Sequence, residues 1–523
     1  MTHRSYSALC PNCGGRVEFR SAASVSSVCS FCRSTLVREG EALRRIGQSA
    51  ELFDDHSPLQ LGASGKYMGE AFTLVGRLQW QSPDARWTEW HALFSNGSGG
   101  WLSEDNGAYV FSFDAELSHP EIASLQAGQD CNLSGQHWSV ASVVSATVSA
   151  AEGELPHPLP QGAVLIADLR HEAGEVATLQ SDVSTVSVGR PVRLAELALQ
   201  GLREISEKKQ DGRSIACPSC GASIAIQLDS TKAVTCGQCK AVVDVSKGVG
   251  ADLSFYAQNT PFEPLLPLGS TATLSLASHA LPWQVVGAME RCDLPNGADE
   301  DFEQSFWHEY LLYHPQEGFV FLVDAEDGWS WMKPLTGAPK LKSDLARWAG
   351  QDYKRRWSYS AKTTCVVGEF YWQVHRGEQH HVMDFEGQGQ ARRHRMSREQ
   401  QGQQGQEVVW SGGELIEAST LMDAFAIPAH QRSAFKRDAA PLHALGDPAR
   451  WPLWIALAVI VLIVFSAAFC TNDSCKDART VFGENSAEYQ QCLRQPSRSG
   501  MSFNSGSGGG SWGGFSSSGG GHK

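Results

Sequence analysis

Two quartets of cysteines with identical spacing constrain this chain more than any other feature of its sequence. In each quartet a Cys-x-x-Cys pair is followed by fifteen residues and then by a second such pair. The first quartet is Cys10, Cys13, Cys29 and Cys32, and the second is Cys217, Cys220, Cys236 and Cys239. This spacing is typical of four-thiolate Zn²⁺ sites. The sequence therefore predicts two zinc ribbons, at residues 5–45 and 213–248, with one Zn²⁺ in each.

The predicted role of both metal sites is structural. Four protein thiolates complete the tetrahedral coordination of Zn²⁺, so no position is open for a water molecule or a substrate. A ribbon of about 40 residues cannot fold on an apolar core alone, and metal binding must supply much of its stability. Iron in a rubredoxin-like site, or a ribbon without metal, is the alternative. Free thiolates of this kind favour a reducing compartment, the cytosol.

The ribbons are the first part of a duplicated unit. Landmarks after the first ribbon recur in order after the second, namely Leu61-Gly62 and Leu268-Gly269, Trp87-Thr88-Glu89-Trp90 and Trp307-His308-Glu309-Tyr310, and Gly153-Glu154-Leu155 and Gly368-Glu369-Phe370. Segments such as 72–80 and 109–113 have strand-like alternation and β-rich composition. We therefore expect a mainly β fold with two all-β modules, barrel-like or sandwich-like, at residues 55–205 and 259–430.

Two further segments are predicted to lie outside the strands. Residues 192–207 carry leucines on a mostly apolar side and are predicted to be helical: Leu194, Leu197, Leu199 and Leu202. Residues 386–407 are rich in Gln and Gly and contain the basic run Arg392-Arg393-His394-Arg395. We expect this second segment to be a solvated, partly disordered hairpin insertion, with phosphate binding as the alternative.

Residues 451–469 contain no charged side chain and consist mainly of Ile, Leu, Val and Ala. A helix of this length spans about 28 Å, close to the thickness of one bilayer core. The sequence therefore predicts one C-terminal transmembrane helix at residues 451–470, which anchors the chain in the lipid bilayer.

Basic residues are concentrated before this apolar segment: Arg432, Lys436, Arg437 and Arg450. The positive-inside rule then predicts a single-pass protein of the bacterial inner membrane with its large N-terminal part in the cytosol. The tail, residues 471–523, is Gly/Ser-rich and is expected outside the cytosol. The sequence leaves open whether Cys475 and Cys492 form a disulfide there.

Glutamates that recur at matching positions of the two copies are the candidates for acid–base catalysis: Glu89 and Glu309, and Glu154 and Glu369. The chain has no HExxH motif, no phosphate-binding Gly-rich loop and no Ser-centred elbow. Strand alternation places Glu89 on one face with Trp87, so we expect a rim charge or a hydrogen-bond anchor between aromatic pairs. We therefore predict no catalytic residue and no enzyme. A hydrolase or transferase that uses Glu154 and Glu369 is the first alternative.

The charge balance argues against nucleic acid as a partner. The chain has 57 acidic residues against 43 Lys and Arg, a net charge of −14. Proteins that bind nucleic acid are more often basic. The first 45 residues nevertheless hold seven Arg against three Glu. A nucleic-acid-binding zinc ribbon is therefore the second alternative.

The repeated motifs resemble a known family. At Leu61-Gly62, Trp87-x-Glu89-Trp90 and residues 151–156, the chain resembles the bacterial domain-of-unknown-function 4178 family. Phe370-Tyr371-Trp372 and residues 408–412 are similar to the later strands of that family, so the resemblance covers most of residues 55–200 and 260–430. It implies an envelope- or stress-related role and no catalytic or cofactor-binding residue. The first copy has Pro156-His157-Pro158 where the second has Tyr371-Trp372, which argues against an aromatic-dependent ligand site in the first copy.

The predicted function is that of a membrane-anchored cytosolic adaptor. Its two ribbons stiffen two β modules, which bind a protein partner at the membrane. Nucleic acid is not expected as a partner. The sequence identifies neither the protein partner nor any small-molecule ligand.

Overall fold

The computed structural model describes residues 6–436 apart from short internal segments. These segments are 22–23, 40–41, 50–56, 84, 106–107, 204–212, 229, 247–252, 259–261, 277–278, 296–302, 316, 375–376 and 402–406. The described residues form 31 strands and one α-helix. Their strands fall into two similar sets, each of which begins with the strands of one cysteine ribbon.

The first set contains five strands in the ribbon and ten after it. The ribbon strands are β1 (Tyr6–Leu9), β2 (Arg16–Phe19), β3 (Ser26–Val28), β4 (Ser34–Glu39) and β5 (Ala42–Gln48). The later strands are β6 (Ser64–Tyr67), β7 (Glu70–Gln81), β8 (Arg86–Phe94), β9 (Gly99–Asp105), β10 (Ala108–Ala115), β11 (Asp130–Leu133), β12 (Gln136–Leu155), β13 (Val164–Arg170), β14 (Val176–Gln180) and β15 (Val186–Val192). Short 3-10 helices lie at Ile122–Ser124 and Leu194–Leu197.

Eight strands of the first set close into an antiparallel barrel, called barrel 1. Their order is β12, β13, β14, β15, β10, β9, β8, β7 and again β12. The 20-residue strand β12 closes the ring because it changes partner along its length. Its residues 139–146 pair with β13, and residues 147–153 pair with β7. Its last residues, 153–155, pair with β3, so the ribbon strands continue the sheet of the barrel.

The second set repeats this arrangement, beginning with the second ribbon. The ribbon strands are β16 (Arg213–Ala216), β17 (Ser223–Ile226), β18 (Ala233–Thr235), β19 (Val242–Asp244) and β20 (Phe255–Tyr256). The later strands are β21 (Thr271–Ser275), β22 (Ala280–Leu294), β23 (Phe306–His314), β24 (Gly318–Ala325), β25 (Gly328–Pro334), β26 (Lys340–Lys342), β27 (Leu345–Trp348), β28 (Gln351–Phe370), β29 (Gln379–Gly387), β30 (His394–Gln401) and β31 (Val408–Ile416). The helix α1 (Ala418–Ala424) and 3-10 helices at Gly389–Ala391 and Arg432–Phe435 complete the set.

Barrel 2 closes in the same way as barrel 1. Its ring is β28, β29, β30, β31, β25, β24, β23, β22 and again β28. The 20-residue strand β28 pairs with β29, then with β22, and at its end with β18 of the second ribbon. The predictions of a mainly β fold and of two all-β modules are therefore confirmed, and both modules are barrels.

Each barrel closes at a pair of glycines that face each other across two strands. Gly76 of β7 pairs with Gly153 of β12, and Gly287 of β22 pairs with Gly368 of β28. A Cβ atom on Gly76 would lie 1.9 Å from the carbonyl oxygen of Glu154. Gly153 has φ +73°, and a Cβ there would lie 2.2 Å from the carbonyl oxygen of Val75. The backbones approach too closely for any other residue.

The predicted helix at 192–207 is wrong for residues 192–203, the part of it that the structure describes. Within that part only Leu194–Leu197 is helical, as one 3-10 turn, and Ala198 ends it with φ 46°. Beyond that turn the backbone is held by barrel 1, because Gln200 and Ser64 exchange two backbone hydrogen bonds of 2.8 and 3.0 Å. Leu197 is buried in the same apolar cluster as Phe72 and Trp90. Pairing with the barrel edge thus overrides the local helical pattern.

The prediction of a solvated hairpin insertion at 386–407 is also wrong for its described residues. Residues 394–401 are strand β30 of barrel 2. The side chain of Arg395 is fully buried and donates a 2.7 Å hydrogen bond to the carbonyl oxygen of Arg392. A basic run is typical of a solvated face, but the side chain of its third arginine is buried in barrel 2. Residues 402–406 lie outside the described residues.

The prediction of a transmembrane helix at 451–470 is corrected. No helix among the described residues is long and apolar enough to cross a membrane, since α1 has only seven residues. The single-pass inner-membrane location was derived from that helix and is corrected with it. Residues 451–470 and the tail at 471–523 lie outside the described residues.

We expect Gly153→Ala to lower the free energy of unfolding by roughly 2–5 kcal/mol, the sum of a left-handed backbone penalty and an overpacking penalty. Chemical denaturation followed by circular dichroism measures the change. Gly47→Ala is the matched control, because a Cβ at Gly47 meets nothing within 4 Å. Equal stability of Gly153→Ala and Gly47→Ala would contradict the account of barrel closure.

Candidate functional site

The structure brings the four thiols of each quartet together. In the first ribbon, Cys10 Sγ lies 3.7 Å from Cys32 Sγ, and Cys13 Sγ lies 3.7 Å from Cys29 Sγ. In the second ribbon the corresponding distances are 3.6 and 3.8 Å. A metal bound tetrahedrally at about 2.3 Å from each sulfur sets neighbouring sulfurs about 3.8 Å apart. Both quartets therefore have the dimensions of a tetrahedral thiolate site, and neither has the sulfur–sulfur distance of a disulfide.

Tight turns hold each Cys-x-x-Cys pair in this position. The amide of Gly14 donates to the carbonyl oxygen of Cys10, and the amide of Arg33 donates to that of Cys29, both at 2.9 Å. Gly14 has φ 74° and Arg33 has φ 55°, and the second ribbon repeats these values at Gly221 and Lys240. Glycine adopts this left-handed conformation without steric cost. Arg33 and Lys240 are held in it by the backbone hydrogen bonds of their turns to Cys29 and Cys236.

The donor set decides which chemistry the two sites can support. Four thiolates with tetrahedral spacing suit Zn²⁺ or iron and complete the coordination of either ion. Among the described residues, these two quartets are the groups of cysteine, histidine and carboxylate side chains that could hold a metal ion. A metal in either site is closed to substrate and stabilises its ribbon.

Glu154, a candidate for catalysis in the sequence, fastens the first ribbon to barrel 1. Its buried carboxylate accepts hydrogen bonds from the backbone amides of Arg20 at 2.7 Å and Ser21 at 3.2 Å. The hydroxyl of Ser24 donates a third at 3.0 Å. All three donors belong to the turn between the two cysteine pairs.

Glu369 does the same for the second ribbon. It accepts from the backbone amides of Gln227 at 2.8 Å and Leu228 at 3.0 Å, and from the hydroxyl of Thr231 at 2.6 Å. The two glutamates therefore form a repeated clamp between ribbon and barrel. Their carboxylates face backbone donors of their own chain rather than an open cleft.

Glu89, the other candidate of the first copy, lies inside barrel 1. The indole nitrogens of Trp80 and Trp87 donate to its two carboxylate oxygens at 3.1 and 3.3 Å. The two indole rings are stacked, with centroids 6.0 Å apart. The expected hydrogen-bond anchor between aromatic residues is confirmed, but Glu89 is buried and is not a rim charge.

Glu309, the counterpart in barrel 2, belongs to a buried ionic network. One guanidinium nitrogen of Arg291 lies 3.0 Å from Glu309 and 3.0 Å from Glu399, and a second lies 3.1 Å from Glu399. Trp307 donates to Glu309 at 2.8 Å. Burial raises the pKa of Glu309 to about 7, against the opposing effect of Arg291. Burial alone would lower the pKa of Arg291, but Glu399 and Glu309 raise it above the usual value.

Barrel 1 contains a cavity of about 50 Å³ that the sequence did not reveal. Its buried floor includes Trp80, Glu89 and Trp101, and its outer part includes Asp114, His157 and Asp182. The Nε2 atom of His157 lies 3.7 Å from a carboxylate oxygen of Asp114, and this contact raises the pKa of His157. These residues are spread over positions 80–182, and His157 and Asp182 lie outside the strands, so no short motif could have joined them.

The fold and the metal sites define a class: a β protein built of two ribbon-and-barrel units. The chain belongs to the family described as Domain of unknown function (DUF4178), which matches residues 60–194 and 276–418, more than half of the chain. These two matches fall on the two barrels and confirm the duplication. No curated protein and no solved structure matches the chain.

We expect the purified full-length chain to contain two metal ions, and Cys217→Ser with Cys220→Ser to reduce this to one. The reason is that two thiolates cannot hold the ion that four hold. Elemental analysis gives metal identity and stoichiometry, and cobalt substitution reports tetrahedral thiolate coordination. Cys131→Ser, outside both quartets, is the control and should keep two ions. Unchanged metal content in the double variant would contradict the second site.

The network around Glu309 predicts a pH dependence of stability. Glu309 ionises at its ordinary pKa of 4.5 when unfolded but at about 7 in barrel 2. Between these values the folded state binds more protons, so this group lowers the free energy of unfolding as pH rises to about 7. Glu309→Gln should reduce this fall, measured by denaturation from pH 4.5 to 7.5. Glu303→Gln, on the surface, should leave it unchanged, and the same slope in all three proteins would refute the assignment.

Proposed function

We propose that this protein is a metal-ribbon adaptor that binds a protein partner through the metal-site face of its first ribbon. The observation that carries the proposal is a pair of exposed apolar side chains on that face. Leu9 is 69% exposed and Phe31 is 73% exposed. Large apolar side chains at such exposure, grouped on one small surface, are typical of interaction sites.

The structure of the ribbon supports Phe31 as a surface residue. Its ring lies against Gly15, where a Cβ atom would come within 2.5 Å of Phe31 Cδ2. Gly15 accepts the backbone hydrogen bond of Cys10, the residue after Leu9. Leu9 and Phe31 therefore flank the same turn of the metal site, and together they form what we call the ribbon 1 face.

The second ribbon lacks this face. The equal spacing of the quartets aligns Leu9 with Ala216, Gly15 with Ala222, and Phe31 with Gln238. The second ribbon therefore lacks both the phenylalanine and the glycine that leaves space for its ring. The apolar face is therefore particular to the first ribbon and is not required by the metal site.

The charge around the ribbon 1 face indicates the chemistry of its partner. The ribbon carries six arginines among its described residues: Arg16, Arg20, Arg33, Arg38, Arg44 and Arg45. The side chain of Arg16 is 69% exposed, although it contacts Glu18 at 3.4 Å. An apolar side chain flanked by carboxylates would complement this surface. We therefore propose an acidic protein segment with an apolar anchor as the partner.

The clamp at Glu154 adds to the proposal because it fixes the direction of the ribbon. Strands β3, β4 and β5 continue the barrel sheet, and Glu154 holds the turn that precedes them. A binding surface held in one orientation loses less entropy on association.

The same clamps weigh against the enzyme alternative. Glu154 and Glu369 are each held by three donors of their own ribbon, and Glu309 is held by Arg291. A general acid or base must reach a proton of its substrate, and these carboxylates face inward. We propose that the protein acts by binding and not by catalysis.

One observation favours nucleic acid as a second candidate partner. An exposed aromatic ring among arginines is also the arrangement on which bases stack. The net charge of −14 opposes this reading for the whole chain. The experiment below separates the two partners.

Affinity capture of the full-length chain, with mass spectrometry of bound proteins, tests the proposal. We expect a discrete partner that is lost when Leu9→Ala and Phe31→Gln give the first ribbon the polar character of the second. With the purified partner, this variant should raise Kd at least tenfold. The matched control, Phe306→Gln with Leu345→Ala, removes exposed apolar side chains from barrel 2 and should keep the partner.

Nuclease treatment during capture and a fluorescent single-stranded oligonucleotide complete the test. Retention of the same proteins by the Leu9→Ala, Phe31→Gln variant would overturn the proposed surface. Loss of the captured proteins after nuclease, with salt-dependent oligonucleotide binding through Phe31, would replace the protein partner with nucleic acid. Equal metal content in all variants excludes an effect through unfolding of the ribbon.

A further inference from the structure

The cavity of barrel 1 can be compared with the same place in barrel 2, because the glycine pairs align the two barrels. Gly76 with Gly153 corresponds to Gly287 with Gly368. Counting along the paired strands from these glycines matches Trp80 with Arg291, and Glu89 with Glu309. The same register matches Gln180 with Glu399 and His157 with Trp372.

In barrel 2 this place is filled by side chains of the chain itself. The guanidinium of Arg291 contacts Glu309 and Glu399 and lies 5.6 Å from the centre of the Trp307 ring. Trp372 is 1% exposed and packs against Phe370, with ring centroids 4.9 Å apart. A cation thus occupies an aromatic and acidic setting in the interior, and Trp372 is buried in the same apolar cluster as Trp307.

Barrel 1 keeps the acidic and aromatic groups but has no arginine at the position of Arg291. Glu89 and Trp87 are in the positions of Glu309 and Trp307, and both are buried. The position of Arg291 is taken by Trp80, whose indole lines the cavity. The position of the buried Trp372 is taken by His157, whose side chain is 46% exposed at the opening of the cavity.

The lining of the cavity is rich in carboxyl groups. Its carboxylates are Glu89, Asp114 and Asp182, and no Lys or Arg occurs among the described residues that line it. Arg77 lies on the opposite face of β7 from Leu78 and Trp80, with its guanidinium 4.7 Å from the centre of the Trp90 ring. Indole walls and carboxylates are the two features that attract organic cations in proteins.

We propose that barrel 1 binds a small organic cation with a guanidinium head, which takes the role that Arg291 has in barrel 2. The cation contacts the indole floor and the carboxylates of Glu89 and Asp182, and enters past His157. One water molecule needs roughly 10–15 Å³ of such space, so a cavity of about 50 Å³ holds a head group of about four non-hydrogen atoms. This site is separate from the ribbon 1 face and does not depend on the proposed adaptor function.

Saturation-transfer NMR and calorimetry with methylguanidinium test the proposal on the full-length protein. Methylurea has nearly the same shape but no charge and is the control ligand. We expect binding of methylguanidinium and none of methylurea. Asp182→Asn, at the exposed end of the cavity, should weaken binding about tenfold, whereas Glu309→Gln in barrel 2 should not change it.

Two variants introduce residues of barrel 2 at the aligned positions of barrel 1. They separate loss of binding from loss of folding. His157→Trp introduces the residue of barrel 2 at the exposed opening of the cavity, and Trp80→Arg with Gln180→Glu introduces the internal cation and its second carboxylate. Each should abolish binding of methylguanidinium while the circular dichroism spectrum stays unchanged. Absence of binding to the natural protein, equal binding of methylurea, or undiminished binding to the His157→Trp variant would overturn the proposal.

Discussion

A carboxylate buried between ribbon and barrel is the interaction on which each half of this molecule depends. Glu154 and Glu369 follow directly after the glycines at which their barrels close. Each accepts two backbone hydrogen bonds and one hydroxyl hydrogen bond from the ribbon turn. Hydrogen bonds to a charged group contribute about 1.5–3 kcal/mol each, and a buried carboxylate without them would be costly. In each half, two consecutive residues therefore close the barrel and attach the ribbon: Gly153 and Glu154, and Gly368 and Glu369.

The two barrels accommodate their buried polar side chains in different ways. Barrel 2 buries many ionisable side chains, among them Arg291, Glu309, His380, Asp384, Arg395 and Glu399. Buried charges cost free energy unless ions of opposite sign and hydrogen bonds compensate them, and the Arg291 network supplies that compensation. Barrel 1 uses indole donors around Glu89 and leaves a cavity. The same strand order thus encloses a buried ionic network in barrel 2 and a cavity in barrel 1.

The sequence predicted those features that are determined by residues close together in the chain. The metal quartets, the duplication and the β-rich modules were predictable, because ligand spacing, landmark order and strand alternation are all visible in short segments. The roles of Glu154 and Glu369 were not, since their donors are backbone amides more than 130 residues away.

The wrong prediction at residues 386–407 came from a side chain whose surroundings are made by neighbouring strands. Arg395 belongs to a basic run, which suggests a solvated surface, yet barrel 2 buries it. The sequence also argued against an aromatic-dependent ligand site in the first copy, because His157 stands where the second copy has an aromatic residue. In the structure His157 lies at the opening of a cavity in barrel 1, whereas Trp372 is buried.

The clamp also joins two free energies that are usually treated separately. A metal that organises the four thiolates also holds the ribbon turn whose amides bind Glu154 or Glu369. Metal binding therefore also stabilises the edge of the barrel. Because such coupling is reciprocal, the folded barrel raises the affinity of the ribbon for its metal. In each half of the chain, removal of a bound metal is therefore expected to lower the stability of the barrel as well as that of the ribbon.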